Sequence, residues 1–391
     1  MQVDLRAREG NVPWYCSVAA NKTVVPLLKR TVMNLLEAQL DYPLGETLPD
    51  AGVLLQVAPG VMWLRMGLPF ALNHINLWLL EDVFDDGAGN LSVPGWTAID
   101  CGIANDTTRA AWQNIFDTGL RGLPISRVLA THYHPDHVGL ADWLCHQWQA
   151  PLWMTTGEYC YARLMSASLP GIDGAAMLRH FARHGLSDPT SLEQLKERTH
   201  YFRALVPTVP DAYVRIQDDQ SIRIGQHDWR VITGAGHTPE HASLYCAALG
   251  LLISGDMVLP RISTNVSVLA IEPEANPVQA YLDSLAKFSA LPADTLILPS
   301  HGKPFRGLHT RITQLNDHHA ARLAEVVDAC ARPQSAADIV PLMFPRKLDG
   351  HQLSFALGEA LAHLHQLWFD GVLTRQEGTD HVLRFVQRAQ V

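Results

Sequence analysis

Three imidazoles and a carboxylate occupy the six consecutive positions His132-Tyr133-His134-Pro135-Asp136-His137, inside T-H-Y-H-P-D-H-V-G. Neutral imidazole and carboxylate are common protein ligands of zinc, iron and manganese. In an extended loop His132 and His134 project to the same side, so one ion can take both. Asp136 and His137 follow a turn and face a neighbouring position. A lone loop histidine carries no such meaning, whereas H-x-H-x-D-H directly after an apolar strand reads as a metal site.

Two ions need more donors than this loop supplies. Three further places offer them, each just after an apolar run that reads as a strand: His237 in G-A-G-H-T-P-E-H, Asp256 in S-G-D and His301 in P-S-H-G. Strand-end residues of this kind converge on one edge of a layered protein, where chemistry is usually placed. Asp100, in I-D-C-G, is suited either to orient a metal-bound imidazole from behind or to cap its strand. His241, four residues after His237, is read as a supporting residue and not a ligand. Arg261 and Asn265, in L-P-R-I-S-T-N, are candidates to hold a substrate carboxylate or phosphate, Arg261 with both prongs of its guanidinium. Lys303, Arg306, His309 and Arg311 form a basic run beside His301, a candidate anion subsite. Tyr159, Tyr161, Tyr201 and Phe202 are candidates for an apolar substrate wall, while His74 reads as a core histidine.

The elements that must position these residues follow from periodicity. Lys22 to Leu40 carry apolar residues on one helical face and stop at Pro43-Leu44-Gly45. Residues 1–50 are thus an N-terminal extension with one helix. From Gly52 the pattern turns to strands: V-L-L-Q-V-A, V-M-W-L-R-M, H-I-N-L-W-L-L-E, a hairpin turn at 85–90, and W-T-A-I-D-C-G. A helix over 106–119, a strand over 127–131, the histidine loop, a helix over 138–148 and the strand P-L-W-M-T come next. Strand signals vanish over about 156–210, where helical stretches at 158–165, 175–184 and 191–202 suggest a lid or substrate wall. They resume at 213–216, 221–224, 229–233, 242–246, 251–254 and 295–298, with a helix over 277–289. Two sheets face to face with helices outside fit this pattern. Beyond about 319 come helices over 335–340 and 354–369 and a small hairpin, a winged-helix-like order.

With 391 residues, 47% hydrophobic and 18% charged, the chain has the composition of a globular protein with a large core. A formal charge of −9 argues against a nucleic-acid partner. Residues 320–391 hold seven Lys/Arg against eight Asp/Glu, so that module lacks the charge of a DNA reader and suits packing or homodimerisation. Six scattered cysteines without C-x-x-C, and an N-terminus without an apolar h-region, lead us to expect a cytoplasmic protein without a membrane span.

From about residue 52 to 315 the chain resembles the metallo-β-lactamase-fold hydrolases, through T-H-Y-H-P-D-H-V-G, G-H-T-P-E-H, S-G-D, P-S-H-G and the strand end I-D-C-G. It is most similar to the glyoxalase II-like and winged-helix-bearing branches. The resemblance implies an α+β fold: an αββα sandwich over 51–318 with a helical insertion, followed by the module at 319–391. It also implies one metal on His132, His134 and His237, a second on Asp136, His137 and His301, and Asp256 between them. Two divalent ions, zinc first and iron or manganese also compatible, would share a hydroxide that attacks a small ester, thioester or lactone. Asp136 and Asp256 would be the catalytic carboxylates. The rival readings are a phosphodiesterase or ribonuclease of the same fold, a mononuclear iron sulfur dioxygenase, and a metal-bearing sensor or scaffold.

Overall fold

The computed structural model describes residues 35–84, 92–197 and 200–388. Residues 1–20, most of the expected N-terminal helix and the turn at 85–90 lie outside them. Where that helix was expected to end, Glu37–Gln39 is a single 3-10 turn, after which Asp41 bridges to Arg306.

The first sheet begins with β1 (Leu55–Ala58), β2 (Val61–Gly67), β3 (His74–Phe84) and β4 (Val93–Ile99), each antiparallel to the last. Helix α1 (Asp106–Thr118), capped by the Asn105 side chain, crosses over to β5 (Ile125–Leu129). The expected helix after the histidine loop is split into α2 (Pro135–Val138) and α3 (Ala141–Trp148). It starts inside the motif because Pro135 is set for the first helical turn. Then come β6 (Leu152–Met154) and an all-helical crossover: α4 (Thr156–Ala167), α5 (Gly174–Arg183), α6 (Pro189–Lys196) and α7 (Tyr201–Leu205). The helix expected over 191–202 is therefore two. This crossover returns to β7 (Val214–Arg215), and strands β4 to β7 run parallel.

The second sheet comprises β8 (Ser221–Ile224), β9 (His227–Gly234), β10 (His241–Cys246) and β11 (Leu251–Gly255), then α8 (Pro277–Phe288) and β12 (Leu296–Pro299). Its order is β12-β11-β10-β9-β8. Because β10 is antiparallel to both β9 and β11, and β11 is parallel to β12, strands β9, β11 and β12 all end at one edge. That edge receives His237, Asp256 and His301.

Between the sheets Trp63, Trp78, Leu80, Ile99 and Leu129 meet Trp229, Val231, Leu244, Ile253 and Leu298. Trp63 and Trp78 stack at 6.0 Å, a geometry that adds about 0.5–1.5 kcal/mol beyond burial. The outer face of the first sheet packs on Trp112, Ile115 and Leu144, and that of the second on Tyr281, Leu285 and Phe288. The layers are αββα, as the strand pattern and the resemblance imply.

The C-terminal segment comprises α9 (Leu308–Ala329), α10 (Ala336–Met343), α11 (Gly350–Phe369) and the hairpin β13 (Leu373–Glu377) with β14 (Leu383–Gln387). The boundary expected at 318/319 falls inside α9. His319 is fully buried on this helix, with Nδ1 3.2 Å from Nε2 of His363 on α11. Among the described residues no helix is long and apolar enough to cross a membrane, and the five described cysteines are unpaired.

Candidate metal centre

Strand β4 delivers Asp100 at its end with φ of 62°, a left-handed backbone that aspartate tolerates better than most residues. Its Oδ1 accepts the Thr131 amide at 2.7 Å, and the Thr131 hydroxyl donates to both carboxylate oxygens. Asp100 Oδ2 also accepts Nδ1–H of His137 at 2.8 Å, which turns His137 Nε2 inward. The same hydroxyl lies 3.1 Å from Nδ1 of His132 and sets that ring the same way. One carboxylate thus orients two imidazoles.

His237 and His301 are fixed by backbone carbonyls. Nδ1 of His237 donates to Asn265 O at 2.7 Å, and Nδ1 of His301 to His74 O at 2.8 Å. The His74 ring in turn accepts the Gly302 amide at 2.9 Å, so this supposed core residue holds the His301 turn from two sides. His241 is buried and its Nε2 accepts the Asp256 amide at 3.1 Å. Gly255 has to be glycine: at its φ of +54° an added Cβ would lie 2.3 Å from His241 Nε2. The Thr264 hydroxyl donates to the Asp256 carbonyl.

These restraints bring all seven expected ligands together. The donor atoms of His132, His134 and His237 lie within 4.8 Å of one another, as do those of Asp136, His137 and His301. Nε2 of His132 is 3.0 Å from Nδ1 of His134 and 3.3 Å from Nε2 of His237. Asp256 stands between the two groups: Oδ2 is 3.5 Å from His237 Nε2, while Oδ1 is 3.4 Å from His301 Nε2 and 3.7 Å from His137 Nε2. Asp136 Oδ2 faces His301 at 3.4 Å and His137 at 3.6 Å.

The arrangement fits cations. His137 Nε2 and Asp256 Oδ1 are buried without a hydrogen-bond partner, a costly state unless an ion meets them. Burial, reinforced by the neighbouring imidazoles, holds His132 and His134 well below the usual histidine range, which keeps these two rings available as neutral nitrogen donors. At His137 burial pulls the same way, but Asp100, Asp136 and Asp256 outweigh it and push the ring up to about 10. His301 is raised too, burial being overcome by Asp256 and Asp136. The second group therefore calls for positive charge.

Several supports were not anticipated. Glu158, buried in the first turn of α4, accepts the Tyr133 amide at 2.9 Å and the Glu240 amide at 2.7 Å, tying two ligand loops together. Its only sequence signal is an acid among otherwise apolar helix positions. Asn76 donates to the carbonyls of Pro299 and Gly302 on either side of His301.

The expected anion-binding residues are placed otherwise. Arg261 lies 3.8 Å from Glu37 and does not line the cavity described below. The side chain of Asn265 is engaged by Glu359 and Ser267, and its contribution is the carbonyl under His237. The basic run after His301 is also committed: Lys303 to Glu46, Arg306 to the Asp294 carbonyl, His309 to the Leu291 carbonyl, and buried Arg311 to the carbonyls of Leu259 and Ile262. These pairings replace the proposed anion subsite.

Beside His134 and His237 opens a cavity of about 240 Å³. Tyr161, Tyr201 and Phe202 line it as expected, but Tyr159 stacks on Tyr213 at 4.0 Å instead.

A family model described as "Metallo-beta-lactamase superfamily" matches residues 95–301, and the chain belongs to that superfamily. Residues 323–388 match a second model, "Metallo-beta-lactamase-like, C-terminal domain", which places α10, α11 and the hairpin in a module shared with relatives. A β-lactamase domain protein from Burkholderia ambifaria is 55% identical over 91% of this chain and 100% of its own, with a TM-score of 0.85. A metallo-beta-lactamase family protein from Thermus thermophilus is 27% identical over 85% of this chain and 100% of its own, TM-score 0.69. A Bacillus subtilis protein named as a probable metallo-hydrolase, YqjP, is 22% identical over 80% of this chain and 94% of its own.

The supports can be tested one at a time. Asp100→Asn keeps the volume but not the second acceptor, so it should weaken metal binding about 10–100-fold with little change in Tm. Competition against a chromophoric chelator reads this, and an unchanged affinity would contradict the role given to Asp100. Glu158 is raised by burial to about 7 from the ordinary 4.5, so the folded chain keeps a proton that the unfolded chain has released. Its contribution to stability therefore falls as pH climbs from 4.5 to about 7 and is level above, a loss on the order of 3 kcal/mol. Urea unfolding across this range should show a flatter curve for Glu158→Gln; parallel curves would refute the assignment.

Proposed function

We propose that this chain is a hydrolase that uses two divalent ions to cleave a small ester, thioester or lactone. The observation that carries the reading is the division of Asp256, one carboxylate oxygen facing each donor group. His132, His134 and His237 would hold one ion, Asp136, His137 and His301 the other, with Asp256 common to both. The donors are nitrogen and oxygen, which suits zinc first and also iron or manganese. When bound, such ions supply Lewis acidity that makes water a nucleophile at neutral pH and stabilises charge on an acyl oxygen.

The protein's own part is positioning and proton handling. Asp100, Asn265 and His74 fix which nitrogen of His137, His237 and His301 faces inward, so these three need no reorganisation during reaction. Asp136, the more exposed of the two inward carboxylates, takes the proton from the attacking water and returns it to the leaving group. Unpaired cysteines agree with a cytoplasmic setting, and the substrate is a small molecule.

Chelation should abolish ester or thioester cleavage, and zinc or manganese should restore it. Asp256→Ala and His134→Ala should each lower kcat at least 100-fold while the circular dichroism spectrum stays that of the wild type. Full turnover by a metal-free preparation would refute the mechanism.

A further inference from the structure

The cavity beside His134 and His237 is built from parts that the metal centre itself does not require. Its walls are Met165 of α4, Met177 and Phe181 of α5, Leu195 of α6, Phe202 of α7 and Phe355 of α11. The helical crossover and the C-terminal module therefore meet at this one space. We propose that it receives the acyl group of the substrate, and that this group is apolar: a medium-length alkyl or aryl carboxylic acid joined as an ester or thioester. The assignment rests on the hydrolase reading above.

The polar atoms of the lining leave little for a charged ligand. Among the described residues, Asp173 and Arg203 are the only ionisable lining residues apart from histidines and tyrosines. Asp173 is spent capping α5, accepting the Ala176 amide at 3.0 Å, and Arg203 is exposed to solvent. Ser267 donates to Asn265, whose amide is itself held by Glu359. A phosphodiester or a polyanionic carrier would find one exposed guanidinium there. An alkyl chain finds thioethers and aromatic faces instead, and methionines adapt to chains of different shape.

Orientation follows from the two shared residues. His134 and His237 belong to both the first donor group and the cavity wall, so the carbonyl end of the ligand lies at the metal centre and its tail runs under the crossover helices. In the reaction the water oxygen bonds to the acyl carbon, the C–O or C–S bond breaks, and a proton passes to the departing alcohol or thiol. The carboxylic acid is the other product.

The test compares p-nitrophenyl acetate, butyrate and octanoate on metal-loaded protein. Burial of each added methylene is expected to raise kcat/KM by about threefold, so octanoate should exceed acetate by at least 100-fold. Met177→Trp, which fills the cavity, and Phe355→Asp, at a position 39% exposed and so tolerant of change, should each cut the octanoate rate at least tenfold and leave acetate within about twofold. Independently of turnover, dansyl-undecanoic acid should bind saturably with a blue-shifted emission, be displaced by octanoate, and bind at least tenfold more weakly to both variants. Cleavage of acetate with no gain for octanoate, or no saturable binding of the probe, overturns the acyl assignment and leaves the hydrolase reading standing. Probe binding sensitive to both variants, without cleavage of any ester, upholds the cavity as an apolar-ligand site and removes the hydrolase reading.

Discussion

Unpaired charge and lone pairs, gathered where little water reaches them, are the constraint around which this molecule is arranged. Asp256 is 7% exposed and has one oxygen without a hydrogen-bond partner, while ring nitrogens of His132, His134 and His237 crowd together. Such a cluster repels itself unless positive charge enters. At His137 and His301 the nearby carboxylates favour positive charge, Asp136 and Asp256 acting on both rings. The fold must hold this high-energy group in place, and much of its irregular backbone serves that end. Asp100 in a left-handed conformation, Gly255 against His241 and the Thr264 hydroxyl under residue 256 are examples.

Sheet direction explains how distant segments reach one point. Strands β9, β11 and β12 share a direction, so three ligand-bearing loops leave the second sheet at the same edge. Strands β4 and β5, parallel in the first sheet, bring Asp100 and the histidine loop to meet them. Glu158 then fastens the 132–137 turn to the 237–241 turn from outside both sheets. Its position at the start of α4 links the crossover helices, and through them the cavity, to the ligand loops.

The ligands were legible in the sequence because each follows an apolar strand directly and stands near glycine or proline, a local pattern that needs no knowledge of contacts. The sandwich was legible for the same reason. Asn265 and His74 were not, because they act through backbone carbonyls on histidines far along the chain, and a carbonyl has no residue type. For the basic residues Arg261, Lys303 and Arg311 the sequence left anion binding beside an ordinary salt bridge or surface role, since their partners Glu37, Glu46 and the Leu259 carbonyl are remote in sequence. The cavity was only half visible: Met177, Phe181 and Phe355 have the spacing of ordinary core positions, and only packing leaves a space between them. The position 318/319 lies within α9, one uninterrupted helix that packs on both sides of it.

The proposal that one carboxylate serves two ions has a number in it, and that number can be counted. Native mass spectrometry of the full chain, purified without chelator and supplied with zinc, counts them directly. The mass should exceed that of the bare chain by two zinc ions, with Asp256→Ala holding fewer. A wild-type chain that never carries more than one ion, under conditions where it remains folded, would contradict the two-ion centre.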